Sequence, residues 1–245
     1  MNVKTCRFNH HSFKAEHFLK DNRFNFTTLT NNRMKKTNFD LVYQISSRYS
    51  HSKFALALLS KMADHSEETY NHVMNVSLYA YSFALFIGLS KYDTELLFNS
   101  ALVHDLGKLN TPLSILHSKK KLSQAERRIM NKHVQSTLPI GEQYPGLKSA
   151  LEVGLLHHER WDGTGYPNQL EGNDIPFCAQ ILAIIDTWDA MTANRSYRKG
   201  MCREQALSIL SNEKMSGQFN PDLVDEFIAY IRSDYSLPNS SPEFF

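Results

Sequence analysis

The chain has 245 residues, 42% of them hydrophobic, enough for one sizeable core with a short extension. A formal net charge of +2 excludes the strongly basic character of a general binder of nucleic-acid polymers. Cys6, Cys178 and Cys202 have no paired spacing, which excludes a CxxC zinc site and fits reduced thiols in a cytoplasmic protein.

In chain order, "MNVKTCRFNH" has no apolar signal core. Residues 1–50 are a basic, Asn-rich extension with the cluster "NNRMKK". They read either as a poorly ordered leader or as an arm for a protein partner, anchored by its Phe residues; the residues leave both open. Helical spacing begins at "SKFALALLSKMADH" and opens a domain expected over 51–235. "SEETYNHVMNVSLYAYSFALFIG" follows, with Ser66 as N-cap and Gly88 as C-cap. Its apolar part is shorter than the roughly 20 residues that span a bilayer, so no membrane span is expected.

"KYDTELLFNSALVHDLGK" reads as a helix closing near Gly107, and Pro112 opens a short piece. "SQAERRIMNKHVQSTL" carries Ser123 and Glu126 in capping-box spacing and reads as one helix, with His133 on the face of Ile129. "GLKSALEVGLLHH" is another helix. "IPFCAQILAIIDTWDAMTA" is apolar enough to be buried. "REQALSILSNEK" and "PDLVDEFIAYIRS" complete the series, the latter with Pro221 in its first turn. Residues 236–245 are a tail. With no alternating strand and no repeat, the expected fold class is all-α, a bundle of about seven to nine helices.

Several ionisable groups fall where the pattern predicts burial. Asp186 follows Ile181, Leu182, Ile184 and Ile185 in the most apolar helix. A buried carboxylate needs a partner, here an arginine, a capped backbone or a metal. His104 and Asp105 end one helix and His157 and His158 another; Glu68 and His72 share a face at i,i+4. Singly, each is an ordinary core or capping residue. Together, five His, two Asp and one Glu from five helices make a nitrogen- and oxygen-lined cavity without thiolate. Such donors suit Fe, Mn, Co, Ni or Zn, and eight are too many for one ion. Two or three ions are expected, with Asp105 placed to bridge.

"HDLGK", "LSQAERRIMNKH", "HHERWDGTGYP" and "IIDTWDAMTANRSYR" occur in the order and at the spacing of the HD-GYP domain family, which the chain resembles from about Lys53 to Ile231. That family belongs to the HD metal-dependent phosphohydrolases and degrades cyclic di-GMP in bacteria. The resemblance implies metal ligation by His72, His104, Asp105, His133, His157, His158 and Asp186, with Glu68 marking members that hold a third ion. It implies Asp105 and Lys108 as catalytic residues, and Lys108, Arg195, Arg198 and Tyr166 as substrate-binding residues. Two or three divalent ions, Fe or Mn foremost, would activate a hydroxide that opens cyclic di-GMP to pGpG, and onward to GMP where Glu68 completes a third site. Gly165, Tyr166 and Pro167 form the GYP signature, a loop that lines the substrate groove or docks a protein partner. Thr137, "GKLNTP" and Ser196 depart from the family's usual residues, which bears on loop shape and substrate preference. The alternatives are a cyclic-dinucleotide receptor without turnover and an HD enzyme for another nucleotide such as cyclic GMP–AMP.

Overall fold

A computed structural model describes residues 23–24, 40–49, 52–195, 198–233 and 237–238. The expectation of a poorly ordered leader or docking arm falls almost wholly on residues outside this set. Within the extension, however, residues 40–46 form a helix, α1, and Val42, Ile45 and Tyr49 are buried. The packed body therefore begins by residue 40. Arg23–Phe24 and Leu237–Pro238 form a two-residue antiparallel pair; among the described residues every other regular element is helical.

The helices are α2 (Ser52–His65), α3 (Glu67–Phe86), α4 (Lys91–Val103), α5 (Leu113–Leu116), α6 (Gln124–Asn131), α7 (His133–Ser136), α8 (Leu138–Gln143), α9 (Lys148–Gly154), α10 (Phe177–Thr192), α11 (Arg203–Met215) and α12 (Pro221–Arg232). Seven of these have eight residues or more, so the all-α class stands. The N-caps act as their side chains allow. Ser66 accepts from the Thr69 amide, Asn220 from Asp222 and Leu223, and Ser123 and Glu126 complete a capping box. Gly88, at φ +70, ends α3 in the left-handed region where glycine carries no Cβ penalty.

α3 is the axis of the bundle. Its apolar residues surround it rather than form one stripe, and 13 of its 20 residues are buried. One side, with Val76, Ala80 and Phe83, packs on α10 and α12 and shares their core with α11. The other, with Val73, Met74, Leu78 and Tyr81, packs on α2 and α4 and shares their core with α1 and α9. Aromatic rings lock both: Phe83 meets Phe227 edge-on at 5.3 Å, and Tyr81 meets Phe98 at 5.9 Å.

Two helices are shorter than their patterns predict, and both breaks shape the site. α4 stops at Val103, not near Gly107; Asp105 takes φ −103, ψ 6, and a 3-10 turn runs from Leu106 to Asn110. Gly107 is no C-cap. A Cβ there would stand 1.8 Å from the His133 carbonyl oxygen, so glycine is what lets this turn lie against α7. The stretch 123–138 is likewise not one helix, because α6 ends at Asn131 and α7 restarts at His133. Ile129 is consequently exposed while His133 is buried, and the shared face expected from i,i+4 spacing does not exist.

Candidate metal centre

Three histidines use the same local device. The Nδ1 atoms of His104, His133 and His157 lie 2.8, 2.7 and 2.5 Å from the carbonyl oxygens of Ala101, Met130 and Gly154, each three residues earlier. A carbonyl only accepts, so each Nδ1 carries a hydrogen and each Nε2 faces inward, the atom left to coordinate. His72 lies mid-helix, where the carbonyls are already used. Its Nδ1 instead reaches α10 and donates to Asp189 Oδ2 at 2.6 Å. His158 has no such anchor. Its ring stacks on Tyr166, centroids 4.8 Å apart and planes 24° apart, and stands edge-on to His133 at 5.2 Å.

The donors gather into two halves. His72, His104 and Asp186 form one, and His133, His157 and His158 the other, with His104, Asp105 and His157 between them. Within each group the donor atoms lie within 4.8 Å of one another. Asp105 faces both halves. Its Oδ2 is 3.4 Å from His104 Nε2 and 3.7 Å from His72 Nε2, while its Oδ1 is 3.4 Å from His133 Nε2. Lys108 donates to Oδ2 at 2.5 Å.

These residues fit a resident metal. His104 Nε2, His133 Nε2 and Asp105 Oδ1 are buried, and among the described residues none has a hydrogen-bond partner. Buried polar atoms left without a partner cost roughly 1–3 kcal/mol each, so a core holding three around one point is built for a ligand of its own. The donor set is imidazole and carboxylate, as first-row divalent ions require.

Electrostatics separate the halves. Burial pushes the Asp186 carboxyl up, but His104 and His72 outweigh it and hold it well below the usual carboxylate range. Asp105, also raised by burial, is held well below it by Lys108 and His104. The carboxylates in turn lift the neighbouring imidazoles: His72 is raised by Asp186 and Asp189 against its burial, and His104 is raised to about 10 by Asp105. In the other half burial wins. His133 and His157 are pushed down, and His158 to about 4.

Residues expected around the metals take varied places. All seven expected ligands converge. Glu68 does not join the clusters; it sits on the wall of a cleft beside His72, 3.9 Å from Arg195. Arg195 and Lys108 line that cleft of about 370 Å³. Arg198 turns away: its guanidinium donates to the carbonyls of Ala190 and Met191, closing the end of α10. Ser196 lies outside the described residues. Thr137 spends its hydroxyl on the Val134 carbonyl, 2.6 Å away.

Two structural carboxylates escaped the sequence reading. Asp189, one turn beyond Asp186 and buried, orients His72; the D-x-x-D spacing was its signal. Glu159, buried next to the His pair, accepts from the amides of Asn168 at 2.6 Å and Leu170 at 3.1 Å, tying down the loop that carries Tyr166. Gly165 permits that loop to close, since a Cβ would lie 2.4 Å from the Arg160 nitrogen. Trp188 is core, and Trp161 is half-buried. Among the described residues no helix is long and apolar enough to cross a membrane.

Residues 57–223 match the family described as HD domain. Over 204 residues the chain is 38% identical to 3'3'-cGAMP-specific phosphodiesterase 2 of Vibrio cholerae, covering 80% of this chain and 38% of that protein. A cyclic di-GMP phosphodiesterase of the same organism is 34% identical over 191 residues, 71% of this chain and 39% of its own length. One from Thermotoga maritima is 33% identical over 178 residues, 71% of this chain and 48% of its own length. The chain thus spans less than half the length of these relatives. Among solved structures, the HD domain of the L. monocytogenes phosphodiesterase PgpH in complex with cyclic-di-AMP superposes with a TM-score of 0.53 at 19% identity. That match covers 77% of this chain and 100% of the other, and it speaks for the fold.

Proposed function

The chain belongs to the HD domain family, in its HD-GYP branch, and on that premise we propose that it is a metal-dependent phosphodiesterase that opens cyclic di-GMP to the linear dinucleotide pGpG. The observation that carries the reading is Asp105, whose two oxygens face two separate sets of inward-pointing donors. A carboxylate so placed supports a reading in which it serves two cations. His72, His104 and Asp186 would hold one ion, His133, His157 and His158 the other, and Asp105 would serve both. Fe or Mn fits this donor set, and Glu68, on the cleft wall beside His72, is the residue through which a third ion would be held.

When bound, such a pair supplies Lewis acidity toward the phosphoryl oxygens and a water nucleophile at neutral pH. The protein's own part is positioning. Lys108 steadies Asp105 and presents its ammonium to the cleft, where it meets a non-bridging phosphate oxygen. Arg195 offers a second cation on the same wall. Arg198 acts at one remove, holding the end of α10 behind Asp186 and Asp189. The oxygen of water bonds to phosphorus as the bond to the 3′-oxygen breaks, and a proton of that water ends on the leaving oxygen as the new 3′-hydroxyl. A bacterial cytoplasm, where second-messenger dinucleotides act, is the compartment this assignment implies.

A second reading has a specific support. The 38% identical relative is named for 3'3'-cGAMP, so the mixed dinucleotide is a competing substrate. Anaerobically purified protein, loaded separately with Fe and Mn, is incubated with cyclic di-GMP and with 3'3'-cGAMP, and products are resolved by chromatography. Conversion of cyclic di-GMP to pGpG or GMP is expected. Tight binding of both without turnover would make the protein a receptor, and turnover of cGAMP alone would reassign the substrate.

A further inference from the structure

Lys119, Lys120 and Lys121 line the cleft that has His72 on its wall. All three side chains are exposed, and among the described residues none pairs with a carboxylate. The other two cations of the cleft, assigned above to the phosphate at the centre, each stand beside a carboxylate: Lys108 lies 2.5 Å from Asp105, and Arg195 lies 3.9 Å from Glu68. Three adjacent ammonium groups facing one concavity repel each other, and an anion held there would relieve the repulsion. The segment is held in a turn, with Ser118 Oγ donating to the Lys120 carbonyl at 3.1 Å and accepting from the Lys120 amide at 3.3 Å.

A cyclic dinucleotide closes its ring through two phosphodiesters. When one lies at the metal centre, the other must lie to one side of it. Among the described residues, a cleft adjoins the centre on each of two sides. The second, about 310 Å³, is lined by Glu159 and Asp186, and its one cation, Arg160, is spent on Asp162 at 2.8 Å. That cleft thus offers a phosphate no uncommitted cation, whereas the lysine cleft offers three.

We propose that Lys119–Lys121 form a second phosphate subsite, which holds the phosphodiester that is not being cut. This rests on the phosphodiester-hydrolase reading of the adjacent centre. A group that grips a non-reacting phosphate binds ground state and transition state alike, so it sets KM and leaves kcat. The contacts are exposed and therefore screened by salt.

The test compares wild type with the triple substitution Lys119→Gln, Lys120→Gln, Lys121→Gln, on cyclic di-GMP and on bis(p-nitrophenyl) phosphate, a diester with no second phosphate. Metal content is measured in both proteins. KM for cyclic di-GMP is expected to rise on the order of tenfold relative to that for bis(p-nitrophenyl) phosphate, with a flatter salt dependence. Equal KM in both proteins, or a parallel loss on both substrates, overturns the subsite. Should wild type cleave bis(p-nitrophenyl) phosphate but no cyclic dinucleotide, the proposed function fails by itself. Inhibition of that cleavage by pGpG then decides the subsite: weaker in the triple variant, it stands; equal, it falls.

Discussion

Replacing Asp189 by Ala isolates a group that orients a ligand without being one. The carboxylate is buried, and it accepts from His72 Nδ1 at 2.6 Å. Alanine leaves that N–H facing a pocket with no acceptor, an unsatisfied donor costing about 1–3 kcal/mol of stability. The His72 ring loses its fixed direction, and such losses weaken metal binding by roughly 10- to 100-fold, equivalent to about 1.4–2.7 kcal/mol. Asparagine keeps an acceptor oxygen without the charge and should fall between. The stability deficit in metal-stripped protein also has a pH sign. His72 has a raised pKa in the folded state, so its ion-pair contribution is full below about pH 6.5 and fades as pH rises through the folded value. The hydrogen-bond part persists beyond that. Competition with a chromophoric chelator measures metal affinity, and urea unfolding at pH 6 and 9 measures stability. Wild-type metal affinity in Asp189→Ala would refute the reasoning, as would a deficit that grows with pH.

Three further outcomes are expected. Gly107→Ala drives a Cβ into the His133 carbonyl, so urea denaturation should show a loss of about 3 kcal/mol; an unmoved midpoint would mean that the turn and α7 separate freely. Tyr166→Ala removes the ring that stacks on His158, and Mn affinity, read by electron paramagnetic resonance, should drop about tenfold while Tyr166→Phe retains it; equal loss in both would assign the effect to the hydroxyl. In metal-stripped protein His104 should stay protonated up to about pH 10 and His158 neutral down to about pH 4, as read by NMR titration. Adding metal at pH 7.5 should therefore release protons from the carboxylate-rich half, detectable with an indicator dye in weak buffer; no release would contradict the assignment of His104 as a ligand.

What was legible in the chain was local. Ser66, the Ser123–Glu126 box and Pro221 announce helix starts because a cap depends on three or four consecutive residues. The ligand histidines were legible because ionisable groups in apolar helices demand a reason. The breaks at Val103 and Lys132 were not, since "SALVHDLGK" and "RIMNKHVQ" both read as unbroken helices. What separates them is the approach of Gly107 to His133, a contact between segments 26 positions apart whose cause lies in neither one. Asp189 stayed hidden for a similar reason: its partner is 117 residues away, and only packing of α3 on α10 brings the two together. Arg198 illustrates the converse, a cation whose position by motif suggested phosphate but whose guanidinium is engaged by its own preceding helix.

The back-bonded histidines carry a lesson about how such a centre tolerates change. Ala101–His104, Met130–His133 and Gly154–His157 are each four residues long, and each aims its own imidazole without help from the rest of the chain. They behave as jigs, cut once and then clamped wherever the scaffold holds them. Connectors between the jigs can lengthen or drift in composition without twisting a single ring, provided the clamps still meet.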